Sequence, residues 1–240
     1  MSDGSRQRVG EADGRRPWLL AIDTATSRVV VAAGSLDGSL LGSTSWEAGR
    51  THGQQLLPAI GRLHGEANLR RSLIRGVIVG TGPGGFTGLR VGIATAKAIA
   101  HELGVPIVGV STAEALLAGA DATAGAHGET LVLLLPAGPN DRHIVRPGRP
   151  AELVPAAAEP EIRPGETAIA VDLDGRAPED AVARGEAARN GLAESLVRIG
   201  ARRLREGQAD DLATLVPEYV TLPRGVAAAS GEVAWSRDPR

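Results

Sequence analysis

Gly76-Val-Ile-Val-Gly-Thr-Gly-Pro-Gly-Gly-Phe-Thr-Gly-Leu-Arg-Val-Gly92 is the stretch on which the fold of this 240-residue chain turns. Its first five residues are an apolar run bounded by glycines, the pattern of a strand buried on both faces. A glycine-rich turn follows. From Phe86 the spacing is helical to Leu103, where Gly104 and Pro106 are stop signals, and 105–110 reads as the next strand. Strand, turn, helix and strand in that order argue for an α/β layer with parallel strands.

Upstream, 18–22 and 29–33 read as strands. Leu40 and Leu41 begin a third after Asp37-Gly38, a strong hairpin signal. The segment 51–64 carries Leu56, Leu57, Ile60 and Leu63 at helical spacing, and a helix is expected despite Pro58 and interior glycines. Downstream, Ser111-Thr-Ala-Glu114 has the spacing of a capping box opening a helix to about Ala118. A small linker is expected over 119–129. Beyond it, 130–135, 143–145 and 168–171 read as strands, with a turn over 136–141. An amphipathic stretch over 178–205 turns Leu192, Leu196, Ile199 and Leu204 inward. The expected organisation is a disordered tail over 1–16, a first lobe over 17–118, a second α/β lobe over 119–223 and a flexible tail over 224–240.

Composition narrows the function. With no cysteine, a disulfide framework, a thiolate nucleophile and cysteine-ligated metal are excluded. Twenty-six basic residues against 28 acidic ones give a net charge of −2, so no overall field draws the chain onto nucleic acid. Aromatics make up only 2%, too few for a base-stacking platform. No apolar run is long enough to span a membrane and 1–16 lacks an apolar stretch, so a cytoplasmic protein is expected.

Two motifs lie where α/β sheets bind ligands. Asp23-Thr-Ala-Thr-Ser27 follows a strand, where a carboxylate can hold magnesium through water and the hydroxyls of Thr24 and Thr26 can meet phosphate oxygens. The same residue types also build turns by bonding nearby amides. Gly80-Thr-Gly-Pro-Gly-Gly85 is a literal G-x-G-x-x-G, but the next strand ends Val110-Ser-Thr112 without the acidic residue a dinucleotide fold requires. A Walker A loop is excluded because no Lys-Ser or Lys-Thr follows the glycines, and Lys97 sits about two helical turns into the helix. What remains is a nest of amides around Gly82, Gly84, Gly85 and Thr87, suited either to an anion or to a tight turn.

Gly88, Gly92, Ala96 and Ala100 recur every four residues on one helix face. They suit close packing against the protein's own sheet or a second subunit. His52, His64, His101, His127 and His143 contain no pair at zinc-binding helical spacing, and no Gly-x-Ser-x-Gly elbow occurs. Asp141 with His143, and Asp172 with Asp174, read as solvated turn residues.

Taken together, Leu20-Ala-Ile-Asp-Thr-Ala-Thr26, His52-Gly-Gln-Gln-Leu-Leu-Pro58, the Gly80–Gly92 string and Val108-Gly-Val-Ser-Thr112 resemble the bacterial tRNA threonylcarbamoyladenosine biosynthesis family TsaB. Pro217-Glu-Tyr219 followed by Arg224 resembles that family's end. The resemblance implies a two-lobed actin-like ATPase/ribonuclease H-like (ASKHA) α/β fold and a non-catalytic, dimer-forming subunit. Its expected partners are the catalytic subunit TsaD and the ATPase TsaE, with tRNA met indirectly through the complex and a homodimer possible when alone. The complex transfers a threonylcarbamoyl group to N6 of the adenosine beside the anticodon in tRNAs reading codons that begin with A.

The resemblance implies no cofactor or metal for this subunit, ATP and metal being expected on its partners. Where the catalytic relative has metal-binding histidines, this chain has Ser111-Thr-Ala-Glu-Ala-Leu-Leu117. Ala25 replaces a glycine that kinase-like relatives place near phosphate. The family joins its catalytic subunit through helices matching 51–64 and 86–102. That match shifts the small-residue stripe toward a partner interface, with His52, Leu56, Ile60, Gly88, Arg90, Gly92 and Ala96 as its residues. The alternative of the same fold is a small-molecule kinase or a metallopeptidase-like hydrolase.

Overall fold

The computed structural model describes residues 7–8, 16–49, 52–124 and 130–218. The tails over 1–16 and 224–240 expected from sequence lie almost wholly outside the described residues, as do Tyr219, Arg224 and His127. Among the described residues, ten strands and four α-helices follow in chain order. They are β1 (Gln7–Arg8), β2 (Trp18–Asp23), β3 (Arg28–Gly34), β4 (Leu40–Glu47), α1 (His52–Glu66), β5 (Ile74–Gly80), α2 (Phe86–Leu103), β6 (Ile107–Val110) and α3 (Thr112–Ala124), then β7 (Thr130–Ala137), β8 (Asp141–Val145), β9 (Glu152–Val154), β10 (Glu166–Ala170) and α4 (Glu179–Arg205).

Two sheets form. The first has the order β1-β4-β3-β2-β5-β6, with β2, β3 and β4 antiparallel and β5 and β6 parallel to β2. The second has the order β10-β7-β8-β9, β10 running parallel to β7. Alternation along β2 sorts its side chains by face. Trp18, Leu20 and Ile22 join Leu56, Ile93 and Ala96 on the α1/α2 side. Leu19 and Ala21 point the other way, into a core shared with Leu116 of α3, Leu192 and Leu196 of α4, and Leu133 and Ile169 of the second sheet. Helices α3 and α4 are therefore packed between the two sheets, and α4 touches both.

The helix over 86–103 has the bounds read from sequence, and Gly104 closes it in the left-handed region (φ +61) with its N–H on Ala100 and His101 carbonyls. The linker expected over 119–129 is corrected over its first part: α3 continues through 119–124. Gly119 resembles a linker residue but is a crossing point, where an added Cβ would lie 3.0 Å from the Ala188 carbonyl and 3.1 Å from Gly191 of α4. Strand β9 was not anticipated, and β8 starts at Asp141, within the expected turn. Among the described residues no helix is long and apolar enough to cross a membrane.

Candidate functional site

The carboxyl ends of β2, β5 and β6 meet, bringing the Asp23–Ser27 loop, the glycine loop and Thr112 together. Asp23 is fully buried; its Oδ1 accepts the Ala25 N–H (2.9 Å) and its Oδ2 accepts the Thr112 hydroxyl (2.7 Å). Burial pushes its carboxyl up to about 6, with those two hydrogen bonds pulling the other way. Thr112 Oγ1 also accepts the Gly82 N–H (3.1 Å), while the Thr112 N–H donates to the Gly82 carbonyl (2.7 Å). An added Cβ on Gly80 would overlap the Asp23 carboxylate, so only glycine lets β5 pass this group.

The glycine loop embraces the chain's own backbone. The Gly85 N–H, at the N-cap of α2, donates to the Ala25 carbonyl (2.7 Å), and a Cβ on Gly84 would overlap that same oxygen. Gly82 takes φ +105, and its carbonyl also accepts the Ser111 hydroxyl (3.2 Å). The nest read from sequence as an anion site or a tight turn is thus a turn that holds Ala25. Thr24, buried, donates to the Gly88 carbonyl (2.7 Å), and buried Thr26 donates to the Arg28 carbonyl (3.0 Å). Thr87 is exposed on α2.

The small-residue stripe faces inward, which corrects its assignment to a partner interface. Gly88, Gly92, Ala96 and Ala100 are buried, and a Cβ on Gly92 would overlap Thr24 Oγ1. Gly92 lets the β2–β3 loop lie directly on α2, where the Gly88 carbonyl accepts the Thr24 hydroxyl. Leu56 is also buried and Ile60 is partly so; Arg90 is exposed, its guanidinium 3.9 Å over the Phe86 ring. The His52 side chain lies outside the described residues. The outer face of α1 instead presents Leu57, 61% exposed, with Pro58 and Gly61.

Sequence reasoning missed one part of this region. Asp172, read as a solvated turn residue, follows β10 with φ +58 and accepts both the N–H (2.7 Å) and the hydroxyl (2.6 Å) of Ser27. Arg189 of α4 donates to the same carboxylate (2.6 Å). Nothing in local spacing signals a pair 145 residues apart. His143 is likewise buried, which lowers its pKa, while Asp141 accepts the Ala156 N–H (3.0 Å). The segment 136–142 borders an open cavity of about 590 Å³ with Arg142 and Arg176 in its wall. Both guanidiniums donate to backbone carbonyls there, at 3.0–3.2 Å. Among the described residues no three His, Asp or Glu side chains cluster as metal ligands.

The strand order, with an antiparallel β2–β3–β4 meander continued by parallel β5 and β6 and ligand-type loops at their carboxyl ends, defines an α/β protein of the actin-like/ribonuclease H-like (ASKHA) class. A family model described as "TsaD: tRNA N6-adenosine threonylcarbamoyltransferase" matches residues 42–159. An uncharacterized protein of Mycobacterium tuberculosis is 41% identical over 101 residues, covering 41% of this chain and 47% of that one. The tRNA threonylcarbamoyladenosine biosynthesis protein TsaB of Escherichia coli is 36% identical over 103 residues, covering 42% of this chain and 43% of the relative. The solved structure of YeaZ from Pseudomonas aeruginosa superposes with a TM-score of 0.64 at 24% identity, over 85% of this chain and all of that one. The chain is similar in sequence to TsaB and in fold to YeaZ; it spans less than half the length of the curated relatives it matches.

Proposed function

We propose that this chain is an accessory subunit in the synthesis of threonylcarbamoyladenosine in tRNA, pairing with a TsaD-type catalytic subunit and supplying no reacting group itself. One observation carries the reading: the crevice where such a fold would hold a ligand is filled by the chain's own groups. The Ala25 carbonyl occupies the amide nest, and both oxygens of Asp23 are engaged by Ala25 and Thr112. Each oxygen of this enclosed carboxylate already holds a donor of the chain itself, and burial raises its pKa against those two hydrogen bonds. The likeness to TsaB of Escherichia coli and Bacillus subtilis supports the pathway.

In this reading the outer faces of α1 and α2 meet the catalytic subunit, with Leu57, Ile60 and Arg90 at the contact. Gly88, Gly92 and Ala96 act behind them, fixing α2 against the loop. ATP and metal belong to the partners, a TsaE-type ATPase joins the pair, and tRNA is met through the assembly. The modified adenosine is the one beside the anticodon in tRNAs reading codons that begin with A. Leu57→Glu tests the docking face, because a residue this exposed is replaced at little cost to the fold. The expected result is that tagged wild-type chain co-purifies with a co-expressed TsaD-type subunit, while L57E melts at the wild-type temperature and elutes without it. Equal retention by both chains would refute the docking face; failure of the wild-type chain to retain the subunit would refute the pairing.

A further inference from the structure

We propose that Ser27 and Arg189 form an oxyanion site that the chain fills with its own Asp172 carboxylate, where the two sheets and α4 meet. The site takes a carboxylate or phosphate group. Three donors converge on the two oxygens of Asp172: the Ser27 N–H at 2.7 Å, the Ser27 hydroxyl at 2.6 Å and the Arg189 guanidinium at 2.6 Å. An amide, a hydroxyl and a guanidinium directed at one pair of oxygens are the donors by which proteins recognise oxyanions. Ser27 belongs to the loop leaving β2 in the first sheet, Asp172 follows β10 in the second, and Arg189 comes from α4 between them.

The donors are held in place without Asp172. The Ser27 carbonyl accepts the Ala48 N–H (2.8 Å), and Thr26 beside it is tied to the Arg28 carbonyl. Arg189 is flanked by Glu47 (3.3 Å) and Glu186 (3.1 Å), and both carboxylates are also bound by Arg28. Only 12% of the Arg189 side chain and 15% of that of Asp172 are exposed, while Ser27 lies at the surface and leaves the site open to solutes. Removing the Asp172 side chain takes away the acceptor shared by the Ser27 N–H, the Ser27 hydroxyl and the Arg189 guanidinium, while Arg189 keeps Glu47, Glu186 and the Ser27 hydroxyl oxygen (3.2 Å) as neighbours. A ligand's oxyanion satisfies the same donors in the native chain only by displacing Asp172.

Chemical rescue of Asp172→Gly tests this on the isolated full-length chain. Glycine suits the left-handed backbone at this position, so the change removes the carboxylate without adding strain. D172G is expected to melt about 4–8 °C below wild type through loss of charge-assisted hydrogen bonds. Formate, acetate or inorganic phosphate, each compared with chloride at matched ionic strength, is expected to restore about half of that loss and to shift the Ser27 amide resonance. Wild type, and D172G carrying Arg189→Gln, are expected not to respond. Rescue by formate and acetate alone assigns the site to a carboxylate, and rescue by phosphate assigns it to a phosphoryl group. No rescue by any of the three, or an equal response from wild type, overturns the proposal. Should D172G fold only with an added anion, that recovery supports the proposal; failure to fold with all three, while Asp172→Asn folds, overturns it.

Discussion

Asp23→Asn separates a structural carboxylate from a working one. In the unfolded chain Asp23 ionises near 3.8, whereas burial raises it to about 6 in the fold, opposed by its bonds to Ala25 and Thr112. Between those values the folded chain keeps a proton that the unfolded chain has released. Stability must therefore fall as pH rises from about 4 to about 6 and level off above, for a total cost of about 3 kcal/mol. Asparagine carries no charge, retains an oxygen for the Ala25 N–H and has an amide within reach of Thr112 Oγ1. The stability difference between D23N and wild type is then expected to grow in favour of D23N over this interval, by about 3 kcal/mol, and to stay constant above pH 7. Urea unfolding of both proteins at a series of pH values reads that difference directly. A difference independent of pH, or one that moves against D23N as pH rises, would refute the reasoning.

Two further substitutions probe the supporting structure. Gly84→Ala forces a methyl group onto the Ala25 carbonyl and breaks the Gly85 hydrogen bond, and is expected to destabilise by about 2–4 kcal/mol in urea titration. Leu196→Ala removes a fully buried side chain from the core that α4 shares with both sheets; a loss of about 3 kcal/mol in the unfolding free energy is expected.

What sequence could reveal divides along physical lines. The strand at Gly76–Gly80 and helix α2 were legible because local periodicity and stop residues determine them. The long helix α4 was legible from its apolar spacing, since 27 residues repeat one pattern. Gly119 was misread because a glycine in a loop and a glycine at a helix crossing look the same until the second helix is placed. The stripe on α2 was correctly seen as a close-packing face, yet its partner, Thr24, lies 64 residues upstream of Gly88 and carries no periodic mark. Asp23 was legible as a residue at a strand end, but its enclosure by Thr112 was not. Asp172 was dismissed because its partners come from the first sheet and from α4, which only the tertiary fold brings together.

The central claim is that Asp23 and the glycine loop maintain a scaffold while chemistry happens on a partner. Reconstitution of tRNA modification with a TsaD-type subunit, a TsaE-type ATPase and the threonylcarbamoyl donor system, with either wild-type chain or D23N, tests it most directly. The account predicts equal threonylcarbamoyladenosine formation with the two chains and none when this chain is left out. Loss of product with D23N in an intact complex, or turnover by the purified chain alone, would contradict it.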